Sequence, residues 1–398
     1  MNILVLTSNY PANDLPKETT PVVHYFVREW QKKNEKIIVI HNQTVFPKLI
    51  YKILKMFRRR LASKVGYMFA TSYPKEICYS LDNVTVYRRN IFKLFPHCPF
   101  FNFAYKKQLH KIDQIIHENN FTPDVIVAHW ITPQLFLLYK LKQKYPKAKV
   151  TLAIHEELPV LERDYGKRGL LYLNSVDKLS FRSLRIKDVF LQKYHTSLPV
   201  FMCYSGVPEH YLVNTHSKCI PPVMLKFTFV GTLISRKYPE CIIHALNNYD
   251  NGYYTINYVG EGELGGYLKQ LAEKYGMSDH VNFLGRLPRE QVMEILKDTD
   301  CFVMISKFET FGLVYLEAMA NGCITIASRN EGIDGIIENG VNGFLCEAGN
   351  WMELRKIINH INMLSDEEKQ LISTNARKTA CKMTDSNVAN AYYHFINE

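Results

Sequence analysis

Residues 301–328 read "CFVMISKFETFGLVYLEAMANGCITIAS". Two short β-rich runs, "CFVMIS" and "CITIAS", enclose a stretch with apolar residues at helical spacing, from about Phe311 to Ala320. Aromatic and β-branched residues suit strands, and two strands joined through a helix run parallel. This unit predicts a parallel sheet covered by helices.

The alternation continues outward. Between residues 226 and 348 come "KFTFVG", "TINYVG", "HVNFLG" and "GFLCEA", with helical stretches between most of them. The first half repeats the pattern through "NILVLTS" at the start, "KIIVIHN" at 36, "VTVYRR" at 84, "VIVAHW" at 125, "VTLAIHE" at 150 and "VFMCYSG" at 200. The expected fold class is therefore α/β, two Rossmann-like doubly wound domains in tandem around a central cleft. We place the first at 1–205 and the second at 206–384, with a last helix, about 385–398, returning to the first. Ligands in such sheets bind beyond the carboxyl ends of the strands, many of which end here in Gly or Ser.

Within the opening stretch, Glu309 and Glu317 stand out. Thr310 is positioned to cap the helix, which puts Glu309 just before its N-terminus and Glu317 inside, where apolar residues cover every face. A carboxylate there costs several kcal/mol unless donors meet it. Two kinds of donor are open: a ligand's hydroxyls, or a structural Arg or Lys. Eight residues of helix rise roughly 12 Å, whereas the acid and base of a glycoside hydrolase face one bond at about 5–10 Å. The spacing suits the two ends of an elongated ligand.

With 398 residues, 47% of them hydrophobic, the chain has the composition of a globular protein with two cores. Its first apolar run breaks at Asn9 and Pro11, so neither a signal peptide nor a membrane span is expected, and the expected location is the cytoplasm. Nine cysteines without a Cys-x-x-Cys read as buried thiols. The net charge of +11 is uneven: residues 1–205 hold 32 Lys and Arg against 15 Asp and Glu, and the remainder 17 against 23.

The Glu, seven residues, Glu pattern inside "FETFGLVYLEAMANG" resembles the signature of the large retaining glycosyltransferase family that uses the two-domain B-type (GT-B) fold, glycosyltransferase family four. "FVGTLISRK" at 229, "YVGEGEL" at 258, "FLGRLPREQV" at 283 and "SRNEGIDGIIENGVNGFL" at 328 follow in that family's order. The resemblance implies that Glu309 contacts hydroxyls of a donor sugar and Glu317 the ribose diol of its nucleotide. It further implies that Lys237 meets the departing diphosphate, that the backbone at Arg286 contacts the base, and that His155 contacts the sugar from the first domain; the family's Arg after the Gly is Thr232 here, and Arg236 either stands in for it or is a surface charge. His129, at the end of the preceding strand, is a second candidate. The N–H groups of Phe311, Gly312 and Leu313, at a helix N-terminus, would favour a diphosphate or sugar oxygen, and Thr310 beside them is a further donor-binding candidate. Gly260 belongs to a tight turn near the donor. No cofactor and no metal are expected, because Asp298 and Asp300 precede a strand and face the wrong edge of the sheet.

"KLIYKILKMFRRRLASK", residues 48–64, carries seven basic residues and no acid, with apolar residues at near-helical spacing. A basic amphipathic helix reads as a membrane-surface element. Lys52, Lys55, Arg58, Arg59 and Arg60 are its candidate contacts with the cytoplasmic face of an anionic inner membrane. No nucleic-acid motif accompanies the charge. Relatives with a basic first domain extend glycans on lipid carriers for capsule, O-antigen or similar polymers. The expected partners are thus a nucleotide-diphosphate sugar, such as a UDP-hexose, and a lipid-linked saccharide acceptor. A nucleotide-sugar epimerase on the same architecture is the alternative. An NADP-dependent oxidoreductase, suggested by Gly260, Gly262 and Gly265, is the weaker one, since the next strand ends without the acid a nicotinamide ribose wants.

Overall fold

In the computed structural model, which describes residues 1–14, 21–52, 72–96, 98–156, 159–213, 220–221, 223, 225–249 and 253–398, the chain builds two sheets. The first holds β1 (Asn2–Thr7), β2 (Lys36–Val45), β3 (Ile77–Leu81), β4 (Val84–Phe92), β5 (Val125–His129), β6 (Lys149–Ile154), β7 (Lys178–Phe181) and β8 (Val200–Met202). They lie in the order β3-β4-β2-β1-β5-β6-β7-β8. The second holds β9 (Lys226–Val230), β10 (Thr255–Val259), β11 (Val281–Gly285), β12 (Cys301–Met304), β13 (Ile324–Ser328) and β14 (Phe344–Cys346), in the order β11-β10-β9-β12-β13-β14. Every pairing is parallel except β3 with β4.

The sequence reading has no strand at β3. It forms a hairpin with β4 through Asp82 and Asn83, whose φ values of 49° and 62° are those of a tight turn matched to strand twist.

Parallel strands are covered on both faces, which is why β1 reads as a nearly unbroken apolar run. Ile3 and Val5 point to one side, against Val23, Phe26 and Trp30 of the helix Val22–Gln31. Leu4 and Leu6 point to the other, with Ile112, Leu135 and Leu138. The second sheet encloses its own core around Phe227, Phe229, Val303 and Ile326.

The chain passes between the two sheets twice at one place. Val207 N–H donates to Met383 O at 2.9 Å, and Asp385 N–H donates to Val207 O at 2.9 Å. Thr384 then caps the helix Asp385–Asn397, its hydroxyl accepting from Asn387 N–H. That helix lies on the first sheet: Trp30 Nε1 donates to Ala389 O at 2.8 Å, and Tyr392 stacks on Phe201.

In each sheet the strand order reverses once, at β1 between β2 and β5 and at β9 between β10 and β12. Such switch points open a crevice at the carboxyl edge. The loops leaving β9 and β12 carry Lys237 and Glu309 respectively.

Candidate functional site

Past Val230 the chain turns through Ser235–Lys237, a single 3-10 turn, and Lys307 N–H donates to Arg236 O at 2.7 Å, fixing the two crevice loops together. Lys237 Nζ then lies 3.1 Å from Glu309 Oε2 and Arg236 Nη1 3.8 Å from the same oxygen. Ser306 Oγ donates to it at 3.4 Å, and Glu309 N–H donates to Glu331 Oε2 at 2.9 Å. Burial pushes the Glu309 carboxyl up, but the Lys237 and Arg236 charges and the Ser306 hydrogen bond outweigh it, so it stays below the usual carboxylate range. The arrangement is an ionised carboxylate beside two cations, ready to bind hydroxyls and a phosphate together.

Gly260 belongs to the same edge. Its N–H donates to Gly285 O at 2.7 Å, and a Cβ on it would stand 1.9 Å from Gly231 O, so the ends of β9, β10 and β11 close up only without a side chain there. Arg286 follows β11 and is exposed.

The helix after Glu309 departs from the sequence reading. It spans Leu313–Ala320, its N-cap is Gly312 at φ 75°, and no side chain caps it. Thr310 therefore lies two residues outside and is not the cap. Phe311 precedes the cap, buried, with its ring 5.3 Å from the Arg182 guanidinium of the first domain. Left-handed Gly312 delays the helix because the chain must first turn back from Glu309. A Cβ at this position would meet the Tyr315 ring at 2.4 Å.

Glu317 is buried among Leu316, Ala318 and Ala320, its side chain 7% exposed. Of the two partners left open by the sequence, the structure supplies a cation: Arg289 Nε lies 2.5 Å from Glu317 Oε1. Arg289 Nη1 donates to Tyr25 Oη at 3.1 Å, and its guanidinium sits 5.1 Å from the Tyr211 ring. Sequence reasoning missed Arg289, since nothing in "LPREQV" shows that a residue 28 positions from Glu317 turns toward it.

From the first domain, His155 and His129 stand together, Nε2 of the former 3.0 Å from Nδ1 of the latter. Trp130 stacks on His155 with centroids 4.1 Å apart. Burial and the Arg182 charge hold His129 neutral, down at about 3, and burial, with the Arg182 charge, also lowers His155. Beside them Glu156, which the sequence reading passed over, accepts from Ile131 N–H at 2.9 Å, while burial pushes its carboxyl up to about 7.

Lys52 is exposed after β2, whereas Lys55, Arg58, Arg59 and Arg60 lie outside the described residues. Asp300 accepts from Leu225 and Lys226 N–H, and Asp298 pairs with Lys226 at 2.6 Å, so both serve the amino end of the sheet. Among the described residues no three His, Cys, Asp or Glu side chains group as a metal site, and no helix is long and apolar enough to cross a membrane.

Two switch-point crevices on tandem doubly wound domains define the GT-B fold, and solved structures of that fold align with the whole chain. The lipopolysaccharide outer core galactosyltransferase WaaB matches with a TM-score of 0.68 at 15% identity, covering 100% of this chain and 99% of that one. Anabaena HepE, solved in complex with UDP, matches with a TM-score of 0.71 at 18% identity and covers 100% of both. Residues 221–379, which hold the second sheet, match the family model "Glycosyl transferases group 1". An uncharacterized glycosyltransferase of Methanocaldococcus jannaschii is 25% identical over 313 residues, 75% of this chain and 82% of that protein. The N-acetyl-alpha-D-glucosaminyl L-malate synthase of Bacillus anthracis is 38% identical over 110 residues, 28% of each chain.

Proposed function

We propose that the protein is a retaining glycosyltransferase that moves a hexose from a nucleotide-diphosphate sugar, a UDP-hexose, to a lipid-linked saccharide in cell-surface polysaccharide biosynthesis. The observation that carries this reading is the pair of carboxylates in the second domain: Glu309 in the loop leaving β12, beside Lys237 and Arg236, and Glu317 in the helix that follows. Glu309 binds the sugar hydroxyls, and Lys237 and Arg236 stabilise the charge that develops on the departing diphosphate. Glu317 accepts the ribose diol; its ion pair engages Oε1, and the Arg289 side chain is 27% exposed, so a ligand reaches the pair from the cleft.

His155, neutral and clamped by Trp130, offers a hydrogen bond to the sugar without adding charge. The acceptor's proton passes to the departing phosphate oxygen on the same face of the sugar, so this reading uses no enzymic nucleophile, cofactor or metal. HepE, with which the chain shares its fold, was solved with UDP-glucose. The first domain's basic excess is consistent with an acceptor carried by an anionic inner membrane at its cytoplasmic face.

The test is transfer of labelled sugar from a panel of UDP-hexoses to membrane extracts, with Glu309→Gln alongside. Product expected from wild type should fall on the order of 10²-fold in the variant. Donor converted to its epimer without any acceptor would instead establish the epimerase.

A further inference from the structure

Arg289 opens the helix Arg289–Lys297, directly after the N-cap Pro288, where a cation opposes the helix dipole. Helix stability does not explain it there. Its guanidinium reaches three elements: the Glu317 carboxylate, the Tyr25 hydroxyl on the first-domain helix Val22–Gln31, and the Tyr211 ring in the connecting segment. Nη2 is buried without a hydrogen-bond partner among the described residues.

We propose that Arg289 is a positioning residue for the nucleotide site, orienting the Glu317 carboxylate for a vicinal diol and tying it through Tyr25 to the first domain. This rests on the reading of Glu317 as the ribose acceptor. A carboxylate buried in an apolar helix is free to rotate or withdraw unless something fixes it, and the Nε contact fixes Oε1. Tyr25 and Tyr211 in turn fix the guanidinium, which Glu317 alone would leave mobile at its exposed edge. The nucleotide's grip thereby depends on a residue of the opposite domain that it does not touch.

UDP is the probe, titrated calorimetrically into the full chain. Arg289→Ala should weaken UDP at least tenfold, Arg289→Lys should recover part of the loss, and Tyr25→Phe, which leaves the ion pair intact, should cost about threefold. Because Arg289 acts through Glu317, the double variant Arg289→Ala/Glu317→Gln should bind no more weakly than Glu317→Gln alone. Losses that multiply, or an Arg289→Ala protein that binds UDP as tightly as wild type or more tightly, overturn the proposal; tighter binding would make Arg289 a competitor of the ribose. Unchanged binding by Glu317→Gln alone overturns the nucleotide reading itself, and this inference with it.

Discussion

Glu309 and Glu156 are both partly buried carboxyls, and their surroundings drive them in opposite directions. Lys237 and Arg236 keep the first ionised, whereas the second, met by backbone N–H donors among the described residues, rises to about 7. Removing the nearer cation, in Lys237→Met, should reduce transfer on the order of 10²-fold and leave Glu309 harder to ionise, seen as an alkaline shift of the pH–rate profile. For Glu156 the linkage has a definite sign. Its folded pKa lies above the ordinary carboxyl value, so the folded state binds more protons between about pH 4.5 and pH 7, and stability falls as pH rises through that window. Glu156→Gln should flatten that fall, by on the order of 3 kcal/mol in denaturant titrations across the window; an unchanged slope would show that the carboxyl does not titrate there. At this scale Glu309 and Glu317 stood out as candidates because carboxylates in an otherwise apolar stretch are conspicuous. Arg289 and Glu156 were not, since their roles depend on which side chains the folded chain brings near.

Among the elements, the helix Leu313–Ala320 shows how local chemistry can mislead by two residues. A Thr before an apolar run is a start signal, yet the left-handed Gly312 is the actual cap. Thr310→Ala should then change stability by no more than about 0.5 kcal/mol. Gly312→Ala should cost more than about 1 kcal/mol, because the new methyl must enter a positive φ and meet Tyr315. Equal costs in chemical denaturation would restore Thr310 as the cap. The missed strand β3 has a similar lesson: Asp82-Asn83 is a hairpin signal, but a search for parallel alternation passes over an antiparallel edge strand. β7, the four residues Lys178–Phe181, was missed as well; the other strands were legible because parallel strands buried on both faces are apolar throughout.

Over the whole molecule, two sheets with reversed strand order face their carboxyl edges toward one cleft, and the C-terminal helix returns across the crossing at Val207 to cover the first sheet. Trp30, fully buried with its Nε1 on Ala389 O, is central to that docking. Trp30→Ala should cost about 3–5 kcal/mol of stability. The uneven charge of the halves was plain in the sequence, and the surface it serves is a matter for vesicle binding: sedimentation with phosphatidylglycerol vesicles should decline as salt rises. The central claim, however, concerns the crevice between Glu309 and Glu317. A crystal structure of the protein with UDP tests it most directly. The account predicts the ribose hydroxyls within hydrogen-bonding distance of the Glu317 carboxylate and the terminal phosphate beside Lys237. A ribose bound elsewhere, with Glu317 still held by Arg289 alone, would contradict it.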